Sequence, residues 1–159
     1  MATELHPGDM APDVTLPTPD GGTLRLAELR GRPLVLYFYP KDDTAGCTRE
    51  AQDFSALKAA FDTMGVAVIG VSKDAPAKHV KFAAKYNLTV SLASDEDGSV
   101  CEAFGTWIEK SLYGRKYMGI DRATFLIGAD GRIARIWRKV KVPGHAEQVL
   151  AAAEALART

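Results

Sequence analysis

The chain has 159 residues, 47% of them hydrophobic, and its 20 basic and 20 acidic residues cancel to a formal net charge of zero at pH 7. We expect one globular domain over residues 1–159, because a chain of this length buries about 70% of its unfolded surface without a disulfide or a metal. A neutral chain has no electrostatic reason to bind nucleic acid or an anionic membrane. There is also no run of about 20 apolar residues and no export pattern at the N-terminus, so we expect a cytoplasmic protein with small-molecule or protein partners.

The predicted elements begin with a small hairpin. Residues 14–16 and 23–26 flank a turn signal at residues 19–22, and one helical turn follows at 26–29. The main pattern then alternates between buried strands and amphipathic helices. It predicts strands at 34–39, 66–71 and 88–92, helices at 44–64, 76–86 and 98–104, a hairpin of strands 123–127 and 133–140, and a last helix at 146–156.

This alternation predicts an α/β sandwich in which helices flank a mixed central sheet. The last hairpin supplies the antiparallel edge of that sheet. Such an order fits a thioredoxin-like fold with an N-terminal β-hairpin extension, but a flavodoxin-like fold would give a similar string of elements. The pattern by itself leaves both folds open.

The two cysteines, Cys47 and Cys101, are too few for a disulfide framework and too far apart for a CxxC site, so we expect thiols. Cys47 falls in the first turn of the predicted helix 44–64, where free N–H groups and the helix dipole favour a thiolate. Asp43 or Thr44 can cap that turn. A helix end contributes only about 0.3 to 1 kcal/mol, so an activated thiolate also needs a cationic neighbour.

Two arginines are candidates for that neighbour. Arg49 is close in sequence, and Arg122 stands at the start of the predicted strand 123–127. An arginine that enters an apolar strand needs an anionic partner if it is buried, so we predict that Arg122 pairs with Cys47. Spacing fits a solvated Arg122 equally well. For Cys47 the alternative is a buried structural cysteine, against which its position at a helix start argues.

Several motifs resemble those of the peroxiredoxins, the thiol-dependent peroxidases. The spacing Pro40-xxx-Thr44-xx-Cys47 is similar to their active-site signature, and Arg122 matches their catalytic arginine. The likeness extends over nearly the whole chain. Five segments resemble the Q subfamily, also called bacterioferritin comigratory proteins: residues 38–41, 46–51, 92–95, 100–105 and 122–127.

The resemblance implies a thioredoxin fold and a peroxidase that needs no cofactor. The Cys47 thiolate would attack hydrogen peroxide or an organic hydroperoxide and become a sulfenic acid. The Thr44 hydroxyl, the Cys47 backbone N–H and Arg122 would hold the peroxide oxygens, and Pro40 would shield the thiolate from water. Glu50, about one helical turn after Cys47, would orient an arginine through a bidentate pair, or would only balance a neighbouring surface arginine.

The chain departs from the subfamily pattern at two places. Ala45 stands where the common motif has proline, which loosens the loop but removes no reacting group. Relatives carry a resolving cysteine at the position of Gln52 or in the next helix at residues 82–84, and this chain has none at either place. We therefore expect a one-cysteine enzyme whose sulfenic acid is reduced by glutathione, thioredoxin or glutaredoxin, and the resemblance to the subfamily implies a monomer.

Cys101 is the alternative resolving residue. Relatives that resolve elsewhere also show a cysteine in this segment, so we expect Cys101 to pack beside Val100 and Phe104. A disulfide to Cys47, or one between subunits, stays open and requires Cα atoms within about 7 Å. A disulfide oxidoreductase is disfavoured because Thr44 occupies the first position of the CxxC motif. A non-catalytic thioredoxin-like module, sensing or binding through Cys47, is the rival from another class.

The remaining polar signals predict neither a metal site nor a nucleic-acid site. His6, His79 and His145 lack ligand spacing, and we expect each at the surface. Residues 95–98 resemble the start of a calcium loop, but Thr106 stands at its twelfth position, so we predict a turn and a helix cap. Four basic residues around Trp137 predict a solvated edge strand: Arg135, Arg138, Lys139 and Lys141.

Overall fold

The computed structural model describes residues 4–158. In chain order its elements are β1 (Thr15–Pro17), β2 (Thr23–Arg25), a 3₁₀ turn (Leu26–Leu29), β3 (Leu34–Phe38), α1 (Ala45–Ala56), α2 (Lys58–Thr63), β4 (Ala67–Ser72), α3 (Pro76–Tyr86), β5 (Ser91–Ser94), α4 (Ser99–Ala103), β6 (Trp107–Leu112), β7 (Arg115–Ile120), β8 (Ala123–Ile127), β9 (Ile133–Trp137) and α5 (His145–Ala157).

A mixed five-stranded sheet in the order β5-β4-β3-β8-β9 forms the centre of the fold. β3, β4 and β5 run parallel, whereas β8 is antiparallel to β3 and β9 is antiparallel to β8. Every residue of β3 is buried, as its continuous apolar run predicts. The mixed sheet, its antiparallel edge and the N-terminal hairpin β1–β2 are therefore confirmed.

The sheet separates two hydrophobic cores, because successive side chains of a strand point to opposite faces. Phe38 lies in one core with residues of α4 and of the N-terminal hairpin, which we call the α4 core. Tyr37 lies in the other with residues of α1, α2, α3 and α5, which we call the α1 core. Cys101 belongs to the α4 core and Cys47 to the α1 core, so the two cysteines lie on opposite faces of the sheet.

Two element predictions need correction, and one element was not predicted. The single helix predicted over 44–64 is divided into α1 and α2, because Leu57 leaves helical geometry at φ −98° and ψ 2°. The third parallel strand lies at Ser91–Ser94 rather than at 88–92. The hairpin β6–β7 was not expected, because its residues are mostly exposed and show no apolar run.

The expectation that all three histidines lie at the surface is wrong for two of them. His79 and His145 are only 0% and 4% exposed, whereas His6 is exposed. The buried rings are accommodated because each has a polar partner, His79 with Asp42 and His145 with Thr124. Burial lowers the pKa of His145 to about 4, so this ring is neutral at pH 7.

The other weak signals behave as predicted. The carboxylate of Asp95 accepts the backbone N–H groups of Val100 and Cys101, so residues 95–98 form a turn that caps α4. The four basic residues around Trp137 are exposed beside the edge strand β9. No helix within residues 4–158 is long and apolar enough to cross a membrane.

Candidate active site

Cys47 lies in the first turn of α1, which follows the carboxyl end of the central strand β3. The backbone N–H of Thr48 donates to the carbonyl of Thr44 at 2.8 Å. Cys47 is the residue before Thr48, and its N–H is one of the first N–H groups of the helix, which have no intrahelical acceptor. The side chain of Cys47 is only 1% exposed. The thiol is thus held at the positive end of a helix and shielded from bulk water.

Arg122 reaches the same point from another part of the chain. It directly precedes β8, whose first residue, Ala123, pairs with the last residue of β3. Its Nη2 donates to Cys47 Sγ at 3.3 Å, and its Nη1 donates to Glu50 Oε1 at 2.6 Å. The structure therefore brings together the three residues Cys47, Arg122 and Glu50. Arg49, the other candidate cation, instead pairs with a carboxylate of its own helix at 3.1 Å.

The carboxyl group of Glu50 is buried, and its two oxygens differ in their hydrogen bonding. Burial raises its pKa to about 7, although the guanidinium of Arg122 works in the opposite direction. Only Oε1 is bonded to Arg122, and Oε2 has no hydrogen-bond partner within residues 4–158. The expected bidentate pair is therefore wrong, as is the alternative that Glu50 only balances a surface arginine. Burial works against the charge of Arg122, but the nearby Glu50 and Cys47 outweigh it and raise its pKa.

The loop between β3 and α1 carries the other two predicted residues, Pro40 and Thr44, and both are exposed. Thr44 occupies the N-cap position, yet its side chain makes no capping bond to α1. Its Oγ1 instead donates to the carbonyl of Lys41 at 2.8 Å. The carboxylate of Asp43 points to α3, where it accepts hydrogen bonds from two side chains. The expectation that Asp43 or Thr44 caps the turn through its side chain is therefore wrong.

Two neighbours of the site were not predicted. Gly46 lies so close to Arg122 that a Cβ at this position would be 3.2 Å from Nη2. Partial burial lowers the pKa of Lys110 in β6, with Arg122 acting in the same direction while Asp121 and Cys47 oppose it. β7 ends at Ile120, two residues before Arg122, so the unexpected hairpin β6–β7 adjoins the site. Sequence spacing contains no information on this contact, because it depends on long-range packing.

Cys101 is separate from this arrangement. It is 0% exposed in the α4 core, and burial raises the pKa of its thiol. Both cysteines are free thiols. Within residues 4–158 no group of three or more histidine, cysteine or acidic side chains could hold a metal ion.

Comparison with known proteins identifies the family. A model of the AhpC/TSA family matches residues 7–136. The chain belongs to this family. A putative peroxiredoxin bcp from Coxiella burnetii is 48% identical over 146 residues, which cover 92% of this chain and 97% of the relative. Peroxiredoxin Bcp from Bacillus subtilis is 46% identical over 143 residues, which cover 90% and 91%.

Solved structures agree with this peroxiredoxin assignment. A peroxiredoxin Q structure from Xanthomonas campestris matches with a TM-score of 0.87 and 45% identity, covering 91% of each chain. A PrxQ mutant from Xylella fastidiosa matches with a TM-score of 0.91 and 39% identity, covering 96% of this chain and 98% of that one. The resemblance to the Q subfamily and the thioredoxin-like fold are confirmed. This peroxiredoxin is a thiol-dependent peroxidase.

Proposed function

We propose that Cys47 reduces hydrogen peroxide and organic hydroperoxides in a one-cysteine cycle and that an external thiol regenerates it. One observation carries the proposal. Cys47 Sγ accepts a hydrogen bond from Arg122 Nη2 at 3.3 Å at the start of α1, whereas Cys101 lies across the sheet. A structural study of the Xanthomonas campestris bacterioferritin comigratory protein concerns alkyl peroxide reduction, which supports organic hydroperoxides as substrates.

In the first step the Cys47 thiolate attacks the terminal oxygen of the peroxide. The S–O bond forms as the O–O bond breaks, so sulfur is oxidised to a sulfenic acid and the peroxide is reduced. The attacked oxygen keeps its hydrogen, and the other oxygen leaves as hydroxide or alkoxide and then takes up a proton. The leaving oxygen carries the developing negative charge, so hydrogen-bond donors around it lower the barrier.

In this proposal three groups bind the peroxide. Arg122 and the backbone N–H of Cys47 donate hydrogen bonds to its oxygens. The hydrogen of Thr44 Oγ1 is engaged by the carbonyl of Lys41, so Oγ1 is left to accept a hydrogen bond from the peroxide O–H. In this proposal Pro40 covers the thiolate at the mouth of the site, and Glu50 holds Arg122 in position.

In the second step an external thiol attacks the sulfenic sulfur and releases water, giving a mixed disulfide with Cys47. A second thiol breaks this disulfide and returns the Cys47 thiol. We propose glutathione, thioredoxin or glutaredoxin as the source of these thiols, and the cytoplasm as a compartment that keeps them reduced. The residues to which we assign these steps all belong to one chain, and we propose that the protein works as a monomer.

The test is the intact mass of the reduced protein after one equivalent of hydrogen peroxide without added thiol, with Cys47→Ser and Cys101→Ser alongside. We expect one added oxygen that disappears in Cys47→Ser and persists in Cys101→Ser. A rapid loss of two hydrogens that needs both cysteines would make Cys101 the resolving residue. Reaction no faster than that of free cysteine would favour the non-catalytic sensing or binding module.

The reductant is identified in a second experiment on the sulfenic form. This form is mixed separately with glutathione, with glutathione plus glutaredoxin, and with reduced thioredoxin, and the return of the unmodified mass is timed. The physiological type of reductant is the one that restores Cys47 on the timescale of peroxide turnover. If none of the three does so, the proposed cycle is wrong in its second step.

A further inference from the structure

A buried histidine lies close to the loop that carries the peroxide site. His79 of α3 is 0% exposed, and each of its ring nitrogens faces an oxygen. Its Nδ1 lies 2.6 Å from Asp42 Oδ2, and its Nε2 lies 3.0 Å from the carbonyl oxygen of Ala93 in β5. The other oxygen of Asp42 accepts the O–H of Tyr39 at 2.6 Å. The peroxidase reaction described above uses none of these groups.

The hydrogen-bond pattern limits where the protons of this pair can be. A carbonyl oxygen can only accept, so Nε2 of His79 carries a hydrogen. One proton must lie between Nδ1 and Asp42 Oδ2, 2.6 Å apart, because two acceptors would repel. We assign this proton to the ring, because imidazole is the stronger base of the two and because the hydrogen bond from Tyr39 favours the ionised carboxylate of Asp42. An imidazolium that donates from both nitrogens satisfies both partners. Its charge is then balanced by Asp42, which is how buried charges are accommodated.

Asp42 connects this ion pair to the active-site loop. It lies two residues before Thr44 and is only 2% exposed. Its backbone N–H donates to Asp74 Oδ2 at 2.8 Å, and the same oxygen accepts a hydrogen bond from Ser72 Oγ at 2.7 Å. Asp42 is thus fixed both through its side chain and through its backbone.

The next residue ties the loop to α3 a second time. Asp43 has a positive φ of 61°, a conformation that few non-glycine residues adopt. Its carboxylate accepts hydrogen bonds from Lys85 Nζ at 2.8 Å and from the Tyr86 hydroxyl at 2.6 Å. The unusual backbone turn at Asp43 is therefore held by the contacts of Asp42 and by those of the Asp43 carboxylate. This turn sets the direction in which the chain enters α1.

We propose that His79 is a positioning residue for the peroxide reaction: its imidazolium holds Asp42 and thereby fixes Thr44 and the first turn of α1. The inference rests on the proposed role of Cys47. Attack on peroxide needs the Thr44 hydroxyl, the Cys47 N–H and Arg122 in one arrangement, and a misplacement of about 1 Å can slow such a reaction about 100-fold. We expect reduction of the sulfenic acid by a small thiol not to depend on that arrangement, because no peroxide is bound in that step.

The first experiment reads the protonation of the ring directly. Nitrogen-15 spectra of the histidine side chains in the reduced wild-type protein are recorded at pH 7, and His79→Gln identifies the signals of residue 79. We expect both ring nitrogens of His79 in the protonated range. A neutral ring with one unprotonated nitrogen would overturn the proposal, whether or not the variant folds and whatever the protein does to peroxide.

The second experiment separates the two chemical steps. His79→Gln and Asp42→Asn are compared with wild type in stopped-flow oxidation of Cys47 by peroxide and in reduction of the preformed sulfenic acid by a small thiol. We expect oxidation to be about 10- to 100-fold slower and reduction to be unchanged. Leu16→Ala, in the α4 core, is the matched control for a general loss of stability and should keep the wild-type oxidation rate.

Two results would refute the positioning role. One is an unchanged oxidation rate in both variants, and the other is an equal slowing of oxidation in Leu16→Ala. Failure of the proposed function would look different, because the wild-type protein itself would then not form a sulfenic acid at Cys47.

Discussion

Replacing Glu50 by glutamine should change how the stability of the protein depends on pH. The carboxyl is 1% exposed, and its single hydrogen bond, from Arg122, is 2.6 Å long. Burial nevertheless raises its pKa from the ordinary 4.5 to about 7. The amide of Glu50→Gln keeps an acceptor for Arg122 but cannot ionise, so the variant removes the titration and preserves the shape of the side chain.

The raised pKa determines the sign and the size of the effect. Between pH 4.5 and about 7 the folded protein keeps a proton on Glu50 that the unfolded chain has released. The free energy of unfolding therefore falls as the pH rises through this range, and the contribution is constant above it. A shift of this size corresponds to a total of about 3 kcal/mol at 1.36 kcal/mol per pKa unit.

Urea unfolding of the reduced proteins, measured at intervals from about pH 5 to pH 8, tests this reasoning. The free energy of unfolding of Glu50→Gln relative to wild type should grow by about 2.5 kcal/mol between pH 5 and pH 8, most of it below about pH 7, and then stay level. Groups that titrate in both proteins cancel in the difference. Glu147→Gln, on an exposed side chain of α5, is the control and should show no such growth. A constant difference for Glu50→Gln would refute the argument, because it would mean that Arg122 keeps the carboxyl ionised throughout.

Three further predictions concern the site and its support. Arg122→Lys should slow the oxidation of Cys47 by about 100- to 1,000-fold in stopped flow, since one ammonium cannot replace the fork that contacts Cys47 and Glu50; a wild-type rate would contradict the role of the guanidinium. Gly70→Ala should cost about 1–3 kcal/mol in urea unfolding, because a Cβ would lie 2.5 Å from the Tyr37 ring; unchanged stability would contradict this packing. Asp95→Ala should cost about 2 kcal/mol by leaving two N–H groups of α4 unpaired, with no change in the oxidation rate of Cys47; a slower rate would show coupling across the sheet.

Local patterns in the sequence predict the parts of the fold that are buried. The run in β3 and the spacing of apolar residues in α1 give elements that the structure contains, because burial imposes those patterns. The hairpin β6–β7 escapes such reasoning because it is mostly exposed. Its turn also lacks a strong signal: Tyr113 and Gly114 both take positive φ, at 50° and 77°, where asparagine or aspartate would be more usual before the glycine.

The candidate site likewise contains features that the local sequence predicts and contacts that depend on residues far apart in the chain. A cysteine at a helix start is visible in the sequence because the loop and the helix are adjacent. The contact of Arg122 with Cys47 depends instead on the pairing of Ala123 with Phe38, which places the start of β8 beside the end of β3. Spacing cannot reveal that register. The same holds for His79, whose partner Asp42 is 37 residues away and whose burial therefore has no local signature.

The sheet itself gives the strongest argument about how the cycle is completed. A disulfide between Cys47 and Cys101 needs Cα atoms within about 7 Å, but the five-stranded sheet lies between the two cores that contain them. A local opening of α1 frees only one partner. Cys101 would still be 0% exposed, with its backbone N–H bonded to Asp95 at 2.8 Å. The same burial protects it from a second subunit, and both observations support the proposed cycle, in which the reductant approaches Cys47 from outside.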